Sequence, residues 1–235
     1  MLLSKKGAMF GFCRVLRKQF GELFLTSRQS EAPQGANDSI KTKRGAMFGL
    51  DARIALAIFG ALSVISGAAL YSAIQESRVI AAVAEFSEAQ KALEAYYLDT
   101  GEMPANYASG TEFFDATYLV EGKSVAGWKG PYLPFEKTTT TTYRLLHPNF
   151  YELMYINALD NVSWGEGGDS WASHNCPSGG DNCYAWALII GSKDLSFVEG
   201  IDKKFDGSVD PQNGNFRYYQ SSGDYRMVLK VIPYK

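Results

Sequence analysis

Between residues 54 and 74 the chain carries no charged side chain, and past that run the apolar pattern changes form rather than stopping. About 20 such residues, each adding about 1.5 Å of helix, cover the roughly 30 Å hydrocarbon layer of a bilayer. Further on, Val79, Ala82, Val83, Phe86, Ala89, Leu93, Tyr96 and Tyr97 recur at helical spacing with charges at the positions between. That spacing describes a helix with one buried face. One long helix is therefore predicted over residues 47–100, transmembrane over about 54–74 and amphipathic afterwards, and about 75 Å long from Phe48 to Leu98. It should stop near Asp99, where Thr100-Gly101 and then Pro104 follow and supply a terminator.

Residues 105–142 are irregular, with Gly127-Trp128-Lys129-Gly130-Pro131-Tyr132-Leu133-Pro134 and then a run of threonines. Aromatic residues between chain breakers predict a loop pinned in place. From Tyr143 onward the composition favours strands, at 143–146, 151–158, 184–190, 216–220 and 225–231, separated by turn residues. The partial alternation of 225–231 predicts antiparallel strands with one face packed, against the second half of the helix. The predicted class is α+β: a transmembrane-plus-amphipathic N-terminal helix on a small antiparallel sheet, with residues 101–235 as the globular head.

Charge gives this layout a direction. The chain of 235 residues has a net charge of -2, yet residues 1–46 hold nine Lys and Arg against three Asp and Glu, leaving the remainder near -8. Positive charge ahead of a span keeps that side in the cytoplasm. Residues 1–46 then read as a cytoplasmic basic leader, its stretch 27–43 as a polar linker, and the head as exported. Gly7-Ala8-Met9-Phe10-Gly11 recurs as Gly45-Ala46-Met47-Phe48-Gly49, too short a match to define a structural repeat. In an oxidising compartment Cys176 and Cys183 are expected to form a disulfide, contributing about 2 kcal/mol across so short a loop, while Cys13 stays on the reducing side. The acidic exported part lacks a basic face for phosphates, so no nucleic acid partner is expected. The basic leader suits anionic lipid.

An apolar helix entered through an acidic residue, preceded by Lys43-Arg44-Gly45-Ala46 and followed by an α+β head, resembles the type IV pilin and type II secretion pseudopilin superfamily. With processing between Ala46 and Met47, Asp51 is the fifth mature residue and Gly60 the fourteenth. The family usually has Gly before the cut and Glu at the acidic position; Ala46 and Asp51 stand there in this chain, and a cut after Gly45 would make Asp51 sixth. The segment from Tyr97 to Pro104 is similar to the helix exit of many members, and the resemblance covers roughly residues 43–104. Weaker likenesses to pseudopilin heads lie at 127–134 and 201–207.

The resemblance implies a structural filament subunit without enzymatic activity. Its partners would be other pilin or pseudopilin subunits, a prepilin peptidase, an inner-membrane assembly platform and the bilayer. A lone carboxylate at the membrane edge costs about 3 kcal/mol on insertion scales, and the implied cation for Asp51 is the freed, usually methylated amine on Met47 of a neighbouring copy. Without assembly, Asp51 would pair with Arg53 at headgroup level instead.

Asp202, Asp206 and Asp210, with Asn213 and Asn215, offer hard oxygens of the kind calcium takes, at a spacing unlike an EF-hand loop. Major pseudopilins bind calcium in their heads, so the resemblance admits that ion, although none is required; the competing reading is a solvated loop using Asp and Asn for turns. Glu166, Asp169 and Asp181 pose the same choice. His174, Cys176 and Cys183 lack an evident fourth zinc ligand, and Trp164, Trp171 and Trp186 read as core and loop anchors before a carbohydrate platform. Two other architectures stand beside the filament subunit. One is a single-pass anchored periplasmic binding domain that never polymerises; the other is a secreted head cut near Ser72-Ala73.

Overall fold

The structure, a computed structural model, describes residues 45–161, 164–166 and 170–235. The leader as far as Arg44, with Cys13 and the first copy of the repeated pentapeptide, lies outside the described residues, as does Asp169. Contacts divide the chain into two units, Met1–Ala57 and Ile58–Lys235.

Helix α1 runs Gly45–Thr100 without interruption. Proline is absent from it and alanine abundant, which suits an unbroken helix. It ends at Thr100, where the predicted span 47–100 ends. The Gly101 amide bonds the Tyr97 carbonyl at 2.8 Å, and Gly101 takes the left-handed φ of 75° that glycine tolerates best. The Thr100 hydroxyl closes the last turn onto the Tyr96 carbonyl.

The head is built on a six-stranded antiparallel sheet: β1 Glu136–Lys137, β2 Leu145–Leu146, β3 Glu152–Leu159, β4 Cys183–Ser192, β5 Phe216–Ser221 and β6 Asp224–Pro233, in spatial order β1-β2-β3-β4-β6-β5. All five expected strands are present, and the short edge strand β1 is additional. A second helix, α2 Leu195–Asp206, was not anticipated. Its punctuation was nonetheless in the sequence. Asp194 caps it by accepting from the Ser196 and Phe197 amides, and Gly207 ends it at φ 78°. Phe197, Val198 and Ile201 form its buried stripe.

Val79, Ala82, Phe86, Ala89, Leu93 and Tyr96 of α1 are buried in one cluster with Tyr155, Ala185, Ala187, Met227 and Leu229 of the sheet and Val198 and Ile201 of α2. Phe86 meets Phe205 and Phe216 edge-on. The buried Tyr155 hydroxyl donates to the Ala89 carbonyl at 2.7 Å, a reach that the small Ala89 side chain permits. Tyr97, expected on this face, is exposed instead, because one residue turns a helix by about 100°.

The opposite sheet face is also buried, contrary to the expectation of one packed face. Met154, Ile156, Ala158, Trp186, Leu188 and Val228 lie under Trp164 and Trp171, which come from the chain between β3 and β4. Arg217 is buried with its guanidinium 4.5 Å from the Trp164 ring and 5.1 Å from that of Trp186, and it pairs with Asp160 at 2.5 Å. Aromatic faces and a partner carboxylate together make that burial tolerable.

The loop after α1 is pinned as expected. The Tyr132 hydroxyl and the Lys129 ammonium both reach the Asp99 carboxylate, at 3.0 and 2.8 Å, and the Trp128 indole donates to the Tyr118 carbonyl. Gly127, at φ 81°, sits so close that a Cβ there would come within 2.3 Å of the Asp99 carbonyl oxygen.

Candidate functional site

The chemically distinctive surface belongs to α1. Leu56, Phe59 and Val64 are each about 70 % exposed, at 69 %, 70 % and 73 %, and Ile65, Leu70 and Tyr71 accompany them. Within Asp51–Thr100 the most apolar 18-residue window has a mean hydropathy of 2.1 and none of it is buried in the chain. One helix is thus long and apolar enough to span a membrane. A contiguous surface of this kind is too large for a monomer in water and needs lipid or another apolar surface over it.

Ala46 and Met47 lie in the first turn of α1, with side chains outside the described residues. Asp51 and Arg53 are both exposed. Two residues apart on a helix they point about 200° away from each other, and no ion pair joins them. Gly60 has open space around its Cα, with nothing within 4 Å of where a Cβ would stand. It is therefore a surface glycine, free for close approach by another helix.

Cys176 and Cys183 form a disulfide with Cα atoms 6.1 Å apart. It ties the head loop to the start of β4, and Pro177 inside the loop accepts from the Asn106 side chain and the Tyr234 hydroxyl. Neither sulfur remains as a thiolate for zinc.

The three aspartates considered for calcium are used differently. Asp202 and Asp206 are on α2 rather than in a solvated loop, and Asp202 is 0 % exposed. Its Oδ2 accepts the Asp210 amide at 2.8 Å while Oδ1 has no hydrogen-bond partner. Burial, with Asp206, Asp210 and Glu199 nearby, pushes its carboxyl up to about 7. Asp206 holds the Asn215 and Phe216 amides at 3.0 and 2.8 Å, and Asp210 holds those of Gln212 and Asn213. These carboxylates organise the backbone leading into β5. Among the described residues no group of three or more His, Cys, Asp or Glu could hold a metal ion. Glu166 likewise accepts the Gln220 amide. Trp164, Trp171 and Trp186 are buried, so they present no platform to a sugar.

Sequence reasoning missed three grooves. One of about 570 Å³ lies between Arg78, Ala81, Ala82 and Glu85 of α1 and the segments holding Phe150, Lys193 and Phe197. Another of about 630 Å³ lies between Tyr97–Asn106 and the last residues of the chain. A third of about 320 Å³ flanks β1 at Phe135 and Leu146. Beside the first, Glu85 accepts from the Asn149 side chain and stands 3.6 Å from Nε2 of His147. Burial pushes the Glu85 carboxyl up and the His147 imidazole down. His147 Nδ1 accepts the Asn149 and Phe150 amides, which leaves the neutral ring's proton on Nε2. Contacts that join residues distant in the chain leave no periodic trace, so none of this was visible in the pattern.

No protein-family model, curated protein or solved structure matches this chain.

Proposed function

We propose that the chain is a pilin-like subunit of a type II secretion pseudopilus or related type IV filament, processed by a prepilin peptidase and assembled through its N-terminal helix. One observation carries the reading: a single uninterrupted helix has an apolar stretch left bare by the rest of the chain and, farther along, an inner face built into a folded sheet. The bare stretch suits a bilayer before assembly and neighbouring helices afterwards.

In this reading the subunit sits in the inner membrane in a single pass, N-terminus in the cytoplasm, and the head is periplasmic or extracellular in the filament. Arg53 faces away from Asp51, so the acid has no intrahelical cation to offset its transfer into low dielectric. The amine released on Met47 of an adjacent copy carries the charge to do so. Ala55, Ala57, Gly60 and Ala61 keep the helix slim enough for that approach. The assembly platform and sister subunits are the protein partners this requires.

Asp51→Ala tests it: the variant should insert and fold its head normally yet fail to enter filaments, and wild-type levels of assembly would refute the mechanism. The grooves on the head favour a second reading, an anchored binding domain that never polymerises. N-terminal sequencing separates the two, since a mature chain starting at Met47 supports the subunit and an intact leader supports the anchor.

A further inference from the structure

The segment from His147 to Phe150, between β2 and β3, is a wall shared by two of the grooves. His147 and Pro148 line the groove beside β1, and Asn149 and Phe150 line the one beside α1. A single imidazole holds this wall. The His147 side chain is 1 % exposed, its ring 4.9 Å from that of Phe135 and 5.2 Å from that of Phe150. Its Nδ1 accepts the Asn149 and Phe150 amides, each at 3.2 Å, and its Nε2 stands 3.6 Å from Glu85 Oε2 on α1. Glu85 Oε1 accepts from the Asn149 side chain, so helix, ring and wall are tied in one cluster.

Only a neutral ring can do this. The one in-plane lone pair of Nδ1 already receives two N–H groups, and the neutral ring's own proton is on Nε2. A further proton has to arrive at Nδ1, where it would meet both amide hydrogens. Ring and wall must separate before the imidazolium can form there. Glu88 on α1 favours the cation, yet burial outweighs it and pushes the imidazole down; burial also pushes the Glu85 carboxyl up. The other charged groups around the cluster are engaged elsewhere or open to solvent. Glu136, which lines the β1 groove with the ring, is exposed, and Arg144 and Glu152 pair with each other at 3.0 Å. Across the α1 groove, Asp194 caps α2, Lys193 lies 3.8 Å from Asp224 and the Arg78 guanidinium lies 5.6 Å from the Phe197 ring.

We propose that His147 is a pH-sensitive latch: protonation at Nδ1 frees the wall from His147 to Phe150 and so reshapes the two grooves that the wall divides. The latch belongs to the head and holds for a filament subunit and for an anchored binding domain alike. With the wall open the ring regains its ordinary value of 6.5. Opening is therefore favoured as pH falls below that value, by up to about tenfold per pH unit. Glu85 acts with the opposite sign, because its proton is held more readily in the closed form.

Amide hydrogen exchange of the full chain in non-ionic detergent, resolved at Asn149 and Phe150, tests the latch. Corrected for the intrinsic rate at each pH, the opening constant of these two amides should rise about fivefold between about pH 6.5 and 5.5. The amides of Ala185 to Leu188 in β4 should not follow. His147→Asn places an oxygen where Nδ1 was, accepts the same amides and does not titrate, so its opening constant should stay within about twofold. Glu85→Gln should keep the rise. The chain has two histidines, and in nitrogen spectra at neutral pH the His147 ring should carry its proton on Nε2. A flat opening constant in the wild type, an equal rise in His147→Asn, loss of the rise in Glu85→Gln, or a proton on Nδ1 at neutral pH overturns the proposal.

Discussion

Replacing Asp202 by Asn should change how the stability of the head depends on pH. The buried carboxyl has its proton affinity raised from the ordinary value of 3.8 to about 7. The native state therefore holds this proton over a range where the unfolded chain has released it. The stabilisation is complete below about pH 3.8 and is lost as pH rises through about 7. Three pH units at about 1.4 kcal/mol each give a ceiling of about 4 kcal/mol; partial relaxation around the charge makes about 2–4 kcal/mol the expected fall. In Asp202→Asn the side-chain oxygen still accepts the Asp210 amide, and nothing titrates. Glu85 acts with the same sign as Asp202 and His147 with the opposite one, but both are common to the two proteins and cancel in the difference. Urea unfolding of the full chain in non-ionic detergent, followed by the fluorescence of the buried tryptophans from pH 4.5 to 8, measures it. Wild type should lose stability relative to the variant across that window, and parallel curves within about 0.5 kcal/mol would refute the reasoning.

Three further outcomes are expected. Cys176→Ser with Cys183→Ser should cost about 2 kcal/mol in the same urea assay, since the loop closed is short. Gly127→Ala should cost about 1–3 kcal/mol because the site combines φ 81° with a carbonyl contact that a methyl group would enter; a neutral effect would mean the loop moves freely. Phe86→Ala should cost about 3–5 kcal/mol by opening a cavity between α1, α2 and β5, read as a lowered urea midpoint without change in membrane insertion.

The long helix, its terminator at Thr100-Gly101, five strands and the Cys176–Cys183 bridge were legible in the chain because each follows from neighbours within a few residues. Period, punctuation and charge asymmetry are local properties. Helix α2 was also written locally, in Asp194 and Gly207, but its apolar stripe is interrupted by Gly200 and Asp202, and the aspartates read more naturally as turn formers. Only the tertiary structure decided that both sheet faces are covered, that Arg217 lies against two indoles, and that Asp202 is shut away while Asp206 and Asp210 are spent on backbone amides. Burial depends on what a distant segment places over a side chain, and the energy of a charge follows from that burial. The order of residues thus determined which elements form and which surface is apolar, while their packing determined where the carboxylates point and which groups they hold.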